Sequence, residues 1–131
     1  MNIKGKKSVD SIHKELGHIM WEYGRYGTYG RRLKEGLKKL KEVRKEFEKE
    51  LFIPGDKEGM NVELDKAIRL YDFITMGELV AYDALNRNES CGGHFREEYQ
   101  TEEGEAKRDD ENYFYVACWE YQVLTKRNRY C

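Results

Sequence analysis

One cysteine and one histidine stand close enough in the sequence to act together. Cys91 and His94 are separated only by two glycines, a spacing that metal ligands use. A structural zinc site, however, requires two such pairs, and the other possible ligands are scattered singly. The sequence therefore favours a small buried thiol and a hydrogen-bonded histidine, and we predict no metal site. The scattered candidates are His13, His18, Cys118 and Cys131.

The same pair could also supply a thiol nucleophile with a histidine base. Cys91 follows a predicted helix and does not begin one, so it lacks the N-terminal helix dipole that lowers the pKa of a thiol. Nothing else in the sequence indicates an oxyanion hole. A thiol or metal protein built on Cys91 and His94 is therefore only a minor alternative, and we predict no catalytic residue in this chain.

Three glycines spaced three apart raise the question of a phosphate-binding loop. Gly24, Gly27 and Gly30 precede a predicted helix, but they follow another helix and not a strand. A dinucleotide-binding fingerprint requires a strand, a glycine turn and then a helix, and a P-loop requires Gly-Lys-Ser/Thr. We interpret the glycines as a turn and predict no cofactor-binding residues here.

A basic segment follows that turn. Nine Lys or Arg residues lie between positions 31 and 50, but five glutamates interrupt them. Nucleic-acid footprints are seldom so diluted, so a solvated helix face is the better interpretation. An acidic protein partner remains open.

The remaining polar residues form a charged cluster around the double glycine. Opposite charges can lock an irregular segment through charge-assisted hydrogen bonds, and Asp109 or Asp110 could cap a turn. We predict a clasp that ties residues 86–112 to the helices, or that is shared with another domain or subunit. The predicted clasp residues are Glu89, Ser90, Gly92, Gly93, His94, Arg96, Arg108, Asp109 and Asp110.

Three amphipathic segments must position this cluster. Apolar residues recur at helical spacing over about 8–23, 29–51 and 62–86, and short loops join the segments. This pattern predicts an antiparallel three-helix bundle. The predicted N-caps are Ser8, Thr28 and Asn61. The predicted apolar face of the third helix is Leu64, Ile68, Tyr71 and Ile74, continued by Gly77, Ala81 and Leu85.

The pattern changes after Ser90. Residues 97–111 are mostly polar and show no periodic pattern. The alternation of aromatic residues from Tyr113 to Tyr121 predicts a strand. Residues 122–126 either extend this strand or return as a second strand of a hairpin. The predicted fold is mainly α: a single domain with a helical bundle at about 8–88, then an irregular segment and a short strand or hairpin at about 89–131.

Composition limits the classes of function. A chain of 131 residues fits one domain, and 37% charged residues with a net charge of −1 argue against a dedicated binder of nucleic acid or membrane surfaces. No apolar stretch approaches the roughly 20 residues that span a bilayer, so we expect no direct membrane insertion. Three widely spaced cysteines suit a reducing, cytoplasmic setting.

Several motifs together resemble a known family. The run from Glu89 to Arg96 reads Glu-Ser-Cys-Gly-Gly-His-Phe-Arg, and Glu98-Tyr99 and Arg108-Asp-Asp follow it. It resembles the Glu-Ser-Arg-Gly-Ala-His-x-Arg run and the later Arg-Asp-Asp of the C-terminal domain of succinate dehydrogenase and fumarate reductase flavoprotein subunits and of related aspartate oxidases. Segments 18–23, 76–79 and 83–85 are similar as well. Cys91 replaces the family's usual arginine, and a longer gap before Arg108 resembles the anaerobic bacterial type.

The resemblance implies a helical C-terminal domain of a larger flavoprotein. In such a parent, FAD mediates the interconversion of succinate and fumarate and passes electrons to iron–sulfur clusters. It implies packing on the parent's flavin-binding domain, contact with an iron–sulfur subunit, and a peripheral position on the cytoplasmic face of the inner membrane. We expect this fragment to be non-catalytic and to bind no FAD; self-association of the isolated fragment is left open. The alternative is a free-standing helical adaptor that binds a protein partner.

Overall fold

Three long helices dominate the computed structural model, which describes residues 5–24, 27–55 and 59–120. Helix α1 spans Val9–Tyr23, α2 spans Gly30–Glu50 and α3 spans Val62–Asn86, and a single turn, α4, spans Asp110–Tyr113. Two short strands, β1 (Lys7–Ser8) and β2 (Leu51–Phe52), pair in parallel. The prediction of a mainly α fold built around a helical bundle is confirmed, and the two short strands lie before α1 and after α2.

Side-chain caps begin two of the long helices, as predicted. The Ser8 hydroxyl accepts a hydrogen bond from the Ser11 amide at 3.2 Å, and the Asn61 side chain accepts one from the Leu64 amide at 3.1 Å. These bonds satisfy amides that the first turn of a helix leaves free. The predicted Thr28 cap of α2 is wrong. Tyr29 occupies that position without a side-chain cap bond, and the Thr28 hydroxyl instead donates to the Tyr23 carbonyl at 3.2 Å, across the turn.

The helices run up, down and up. Lys7, before α1, pairs with Glu46 near the end of α2, whereas His13 of α1 stacks on Phe73 in the first half of α3. Side chains of all three helices fill the core, and β2 closes its end with Leu51. The residues that pack together in this core are Val9, Ile12, Leu16, Ile19, Leu40, Val43, Phe47, Leu51, Ile53, Ala67, Leu70, Ile74 and Ala81.

The predicted apolar face of α3 is only partly correct. Ile74, Gly77 and Ala81 are buried, but Leu64, Ile68 and Tyr71 are exposed, and Ala67 and Leu70 take their place in the core. The error has a simple cause: apolar residues lie on nearly every side of α3, so periodicity alone does not select one face.

The predicted strand at Tyr113–Tyr121 is wrong over its described part. Tyr113 ends α4, and residues 114–120 form no strand. The alternating aromatic residues lie along α3 instead of beside a neighbouring strand. The Tyr113 hydroxyl donates to the Asn86 carbonyl at 3.3 Å, and the Trp119 indole donates to Asp83 at 3.0 Å. Tyr121 and the predicted hairpin at 122–126 lie outside the described residues.

Candidate functional site

Arg96 lies at the end of α3 and is almost fully buried, with 5% of its surface exposed. One terminal nitrogen, Nη1, donates to the Leu85 carbonyl at 3.0 Å, the Asn88 side chain at 3.1 Å and the Arg87 carbonyl at 3.4 Å. The last carbonyls of a helix have no partner within it, and they carry the negative end of the helix dipole. A buried guanidinium therefore satisfies and neutralises the C-terminus of α3.

The other terminal nitrogen of Arg96 reaches a carboxylate. Nη2 lies 2.7 Å from Oε1 of Glu98, and the same oxygen accepts a hydrogen bond from the amide of Gly30, the first residue of α2. Burial by itself would raise the pKa of Glu98, but the bonds from Arg96 and Gly30 outweigh it and lower that pKa. Glu98 thus replaces the predicted threonine cap, and one charge pair joins the end of α3 to the start of α2.

Ser90 is completely buried and bonds to the backbone of Arg96 in both directions. Its hydroxyl donates to the Arg96 carbonyl at 3.0 Å and accepts from the Arg96 amide at 2.9 Å. Its own amide donates to the Lys107 carbonyl at 2.9 Å. A serine suits this buried position because one hydroxyl group can donate to the Arg96 carbonyl and accept from the Arg96 amide at the same time.

Glu89 is a buried carboxylate, with 1% of its surface exposed. Oε1 accepts from both Nε and Nη2 of Arg87, at 2.7 and 2.6 Å, and Oε2 accepts from the Asp109 amide at 2.8 Å. Burial alone would raise the pKa of Glu89, but these bonds more than compensate and lower it. The charged form therefore fastens the segment around residue 109 to the end of α3.

The double glycine forms a tight turn. The amides and carbonyls of Cys91 and His94 exchange two hydrogen bonds, at 2.8 and 3.1 Å, across Gly92 and Gly93. Gly92 has φ +57°, which glycine adopts at no steric cost. The His94 ring lies 3.1 Å from the Arg87 carbonyl. The turn exposes both glycines and directs the histidine back towards α3.

The residues of the Arg-Asp-Asp motif have two different roles. Asp109 caps α4 by accepting from the Asn112 amide at 3.2 Å. Arg108 and Asp110 pair with each other at 2.7 Å, and both side chains are more than half exposed. An exposed pair of this kind contributes little to stability. Because they are exposed, Arg108 and Asp110 belong to the surface beside the buried group of Glu89, Ser90 and Arg96.

Other residues hold this site together although they are not among the predicted clasp residues. They are Arg87, Asn88 and Glu98, together with Thr28, whose amide and carbonyl bond to Phe95 and Glu97. Two of them, Arg87 and Glu98, could have been predicted from the sequence. Together with Glu89 and Arg96 they form a pattern of alternating basic and acidic residues. The contribution of Thr28 carried no local signal, because it lies about 68 positions earlier in the chain.

The possible metal ligands do not gather in the described part of the chain. His13 stacks on Phe73, His18 lies 3.4 Å from Glu22, and Cys118 is exposed. Within residues 5–24, 27–55 and 59–120, no three His, Cys, Asp or Glu side chains are grouped so as to hold a metal ion. Cys131 lies outside these ranges. Among the same residues, no helix has the length and apolar character needed to cross a membrane.

Known proteins match this chain over the segment that contains the family motifs. Residues 13–130 match the family described as the fumarate reductase flavoprotein C-terminus. The chain belongs to this family. The resemblance seen in the sequence is therefore confirmed over most of its length.

Curated relatives of the family are much longer than this chain. The fumarate reductase flavoprotein subunit of Proteus vulgaris is 33% identical over 114 residues, which are 86% of this chain and 18% of that protein. The same subunit of Helicobacter pylori is 31% identical over 84% of this chain and 14% of that protein. An FAD-dependent oxidoreductase of Methanocaldococcus jannaschii is 31% identical over 75% of this chain and 17% of that protein. The chain thus spans less than a fifth of the length of these relatives.

Solved structures contain the same fold. A quinol-fumarate reductase with menaquinol superposes with a TM-score of 0.70 at 27% identity, over 84% of this chain and 18% of that one. The flavoprotein of Escherichia coli quinol fumarate reductase superposes with a TM-score of 0.67 at 26% identity, over 86% and 18% respectively. The helical bundle and its family assignment therefore agree.

Proposed function

We propose that this chain serves as the helical C-terminal domain of a larger flavoprotein that interconverts succinate and fumarate. The observation that carries the proposal is the match of residues 13–130 to the family, joined to a TM-score of 0.70 with a quinol-fumarate reductase. In the whole protein, FAD exchanges a hydride with the dicarboxylate and passes electrons on to iron–sulfur clusters. The helical domain itself takes no part in the chemistry and holds no FAD.

The proposed task of the clasp residues is to make residues 87–112 a rigid surface. Buried, charge-assisted bonds at Glu89 and Arg96 support this role, because such bonds are stronger and more directional than neutral ones. The exposed members, Arg108, Asp110 and the two glycines, are free to face the flavin-binding domain or an iron–sulfur subunit. The complex would sit peripherally at the cytoplasmic face of the inner membrane.

A chimera tests the proposal directly. The matched region of the Proteus vulgaris subunit would be replaced by residues 13–130 of this chain, with a truncated subunit as control. We expect the chimera to retain FAD and to reduce fumarate with a reduced dye, and the truncated subunit to lose both properties. The isolated chain should be colourless. A chimera no better than the truncated subunit, or a yellow, dye-reducing isolated chain, would overturn the proposal and favour the adaptor.

A further inference from the structure

Helix α3 is unusual for the surface of a small bundle because apolar side chains surround most of it. Besides its buried face, it exposes several large apolar residues, and a narrow polar strip interrupts them. A helix that is apolar nearly all round is typical of the interior of a larger protein. The exposed apolar residues are Val62, Leu64, Ile68, Tyr71, Phe73, Met76, Val80 and Tyr82, and the polar strip contains Asp65, Arg69, Asp72 and Asp83.

The flank of α3 that faces α2 is partly covered within the described residues. The guanidinium of Arg44 lies 5.3 Å from the ring centre of Tyr71 and pairs with Glu78 at 2.7 Å. Trp119 packs edge-on against Tyr82 at 5.4 Å. These contacts give that flank neighbours of its own.

The flank that faces α1 is more open. Phe73, Met76 and Val80 lie on one side of α3 and are 49%, 54% and 49% exposed. Trp21 of α1 is 72% exposed, and Gly17 lies one turn before it. A methyl group added at Gly17 would meet no atom of the described residues within 4 Å, so the surface is open as far as these residues are concerned. Large apolar side chains that lie exposed on neighbouring helices suit an interaction site.

Close contact between the two helices makes these residues one surface. A methyl group at Gly77 would lie 3.1 Å from the sulfur of Met20 and 3.6 Å from a methyl of Leu16, so α1 and α3 almost touch there. The His13–Phe73 stack at 5.5 Å is a second contact between the same two helices, so exposed side chains of α1 and α3 lie on either side of one helix–helix contact. We call this surface the α1–α3 face and define it as Gly17, Trp21, Phe73, Met76 and Val80.

We infer that the α1–α3 face is where the flavin-binding part of the larger protein docks. The inference rests on the proposed function. More than four fifths of each fumarate reductase relative lies outside the matched region, which leaves a much larger body available to cover this face. The centre of a permanent contact between domains is poor in charged residues, and the α1–α3 face consists of apolar side chains. Gly17 has no side chain, so a neighbouring domain could approach the backbone of α1 closely. A second copy of this chain is the competing occupant.

Cysteine labelling tests the inference on both the isolated chain and the Proteus vulgaris chimera. Gly17→Cys and Val80→Cys would each be made after the native cysteines are replaced by serine, with Lys38→Cys on the exposed side of α2 as the matched control. We expect maleimide to label all three positions rapidly in the isolated chain. In the chimera, labelling at positions 17 and 80 should slow at least tenfold, with no slowing at position 38.

The outcomes separate the inference from the proposed function. Rapid labelling at positions 17 and 80 in a chimera that retains FAD would overturn the α1–α3 face and leave the proposed function standing. A chimera that cannot retain FAD would overturn both. Slow labelling already in the isolated chain, together with a dimer mass in solution, would assign the face to a second copy and contradict the inference.

Discussion

The carboxylate of Glu98 and the guanidinium of Arg96, 2.7 Å apart, connect two helix ends that lie far apart in the sequence. Arg96 also bonds to the Leu85 carbonyl at the end of α3, and Glu98 accepts from the Gly30 amide at the start of α2. Each charge faces the helix end of opposite partial charge. The pair therefore neutralises both dipoles at once, and it does so mostly out of water.

Replacing Arg96 by alanine should destabilise the fold strongly. The change leaves Glu98 and the last carbonyls of α3 without their buried partner, and the loss of one member of a buried charge pair costs about 3–5 kcal/mol. Urea unfolding would measure the free energy of unfolding. The exposed Arg69→Ala, whose partner Asp65 is also exposed, is the control and should change it by less than about 1 kcal/mol. Equal effects of the two changes would refute the importance of the buried pair.

Ser90→Ala should cost about 1–3 kcal/mol, because it leaves the amide and the carbonyl of Arg96 without their buried partner. Thermal unfolding is sufficient to detect a change of this size. Ser11→Ala, at an exposed position of α1, provides the comparison and should lie within about 0.5 kcal/mol of the parent chain. A neutral Ser90→Ala would mean that the Arg96 backbone finds other partners.

Glu89 should make stability depend on acid pH. Its pKa is lower in the folded chain than the ordinary value of 4.5, so its contribution is fully present above pH 4.5 and is lost as the pH falls through the folded pKa. At neutral pH, Glu89→Gln should reduce the free energy of unfolding by about 1.5–3 kcal/mol. The difference between the two chains should shrink below pH 4.5 in urea titrations. A difference that stays constant down to pH 2 would contradict this assignment.

Two helix glycines should respond oppositely to alanine. A Cβ at Gly36 would lie 2.6 Å from the Cβ of Tyr23, which neither helix can avoid without shifting, whereas a Cβ at Gly17 meets open space. Gly17→Ala should therefore stabilise the isolated chain by about 0.5–1 kcal/mol through helix propensity alone. Gly36→Ala should destabilise it by about 1–3 kcal/mol through overpacking. Calorimetry on both variants gives the comparison, and the same sign for both would disprove it.

The turn glycines offer a similarly matched pair. A Cβ added at Gly92 or Gly93 would meet none of the described residues within 4 Å, whereas the backbone conformation of the two positions differs. Gly92 has φ +57°, and a side chain there costs roughly 1–2 kcal/mol. Gly92→Ala should consequently lower the melting temperature, and Gly93→Ala should leave it within error. If Gly93→Ala proves equally harmful, the turn has a packing role that its geometry does not suggest.

Helix positions were predictable from the sequence because their signals are local. Ser8 and Asn61 stand immediately before apolar residues at helical spacing, and both act as caps. Local signals do not predict contacts that depend on distant segments of the chain. Thr28 has the right side chain for a cap, but the amide of Gly30 is taken by Glu98, 68 positions later. The alternating aromatic residues near Trp119 would fit a sheet, but here they meet α3.

In the candidate site, too, some features had a signal in the local sequence and others had none. Charge patterning indicated that Glu89 and Arg96 take part in ion pairs, and both are buried and paired. It did not indicate that Ser90 would bridge the backbone of Arg96, since a lone serine carries no periodic signal. The family motif marked all three as a group. The role of that group between domains stays a prediction.

The bonds between Thr28 and residues 95 and 97 have a consequence for the order of folding. Such a contact closes a loop of about 68 residues, and the entropy of closure must be paid before the bonds form. Contacts between helices that are neighbours in the chain close shorter loops, such as the 34 positions between Arg44 of α2 and Glu78 of α3, and can form first. Residues 87–112 should then join a bundle that already exists. In kinetic terms, loss of Arg96 should chiefly speed unfolding and leave the refolding rate almost unchanged.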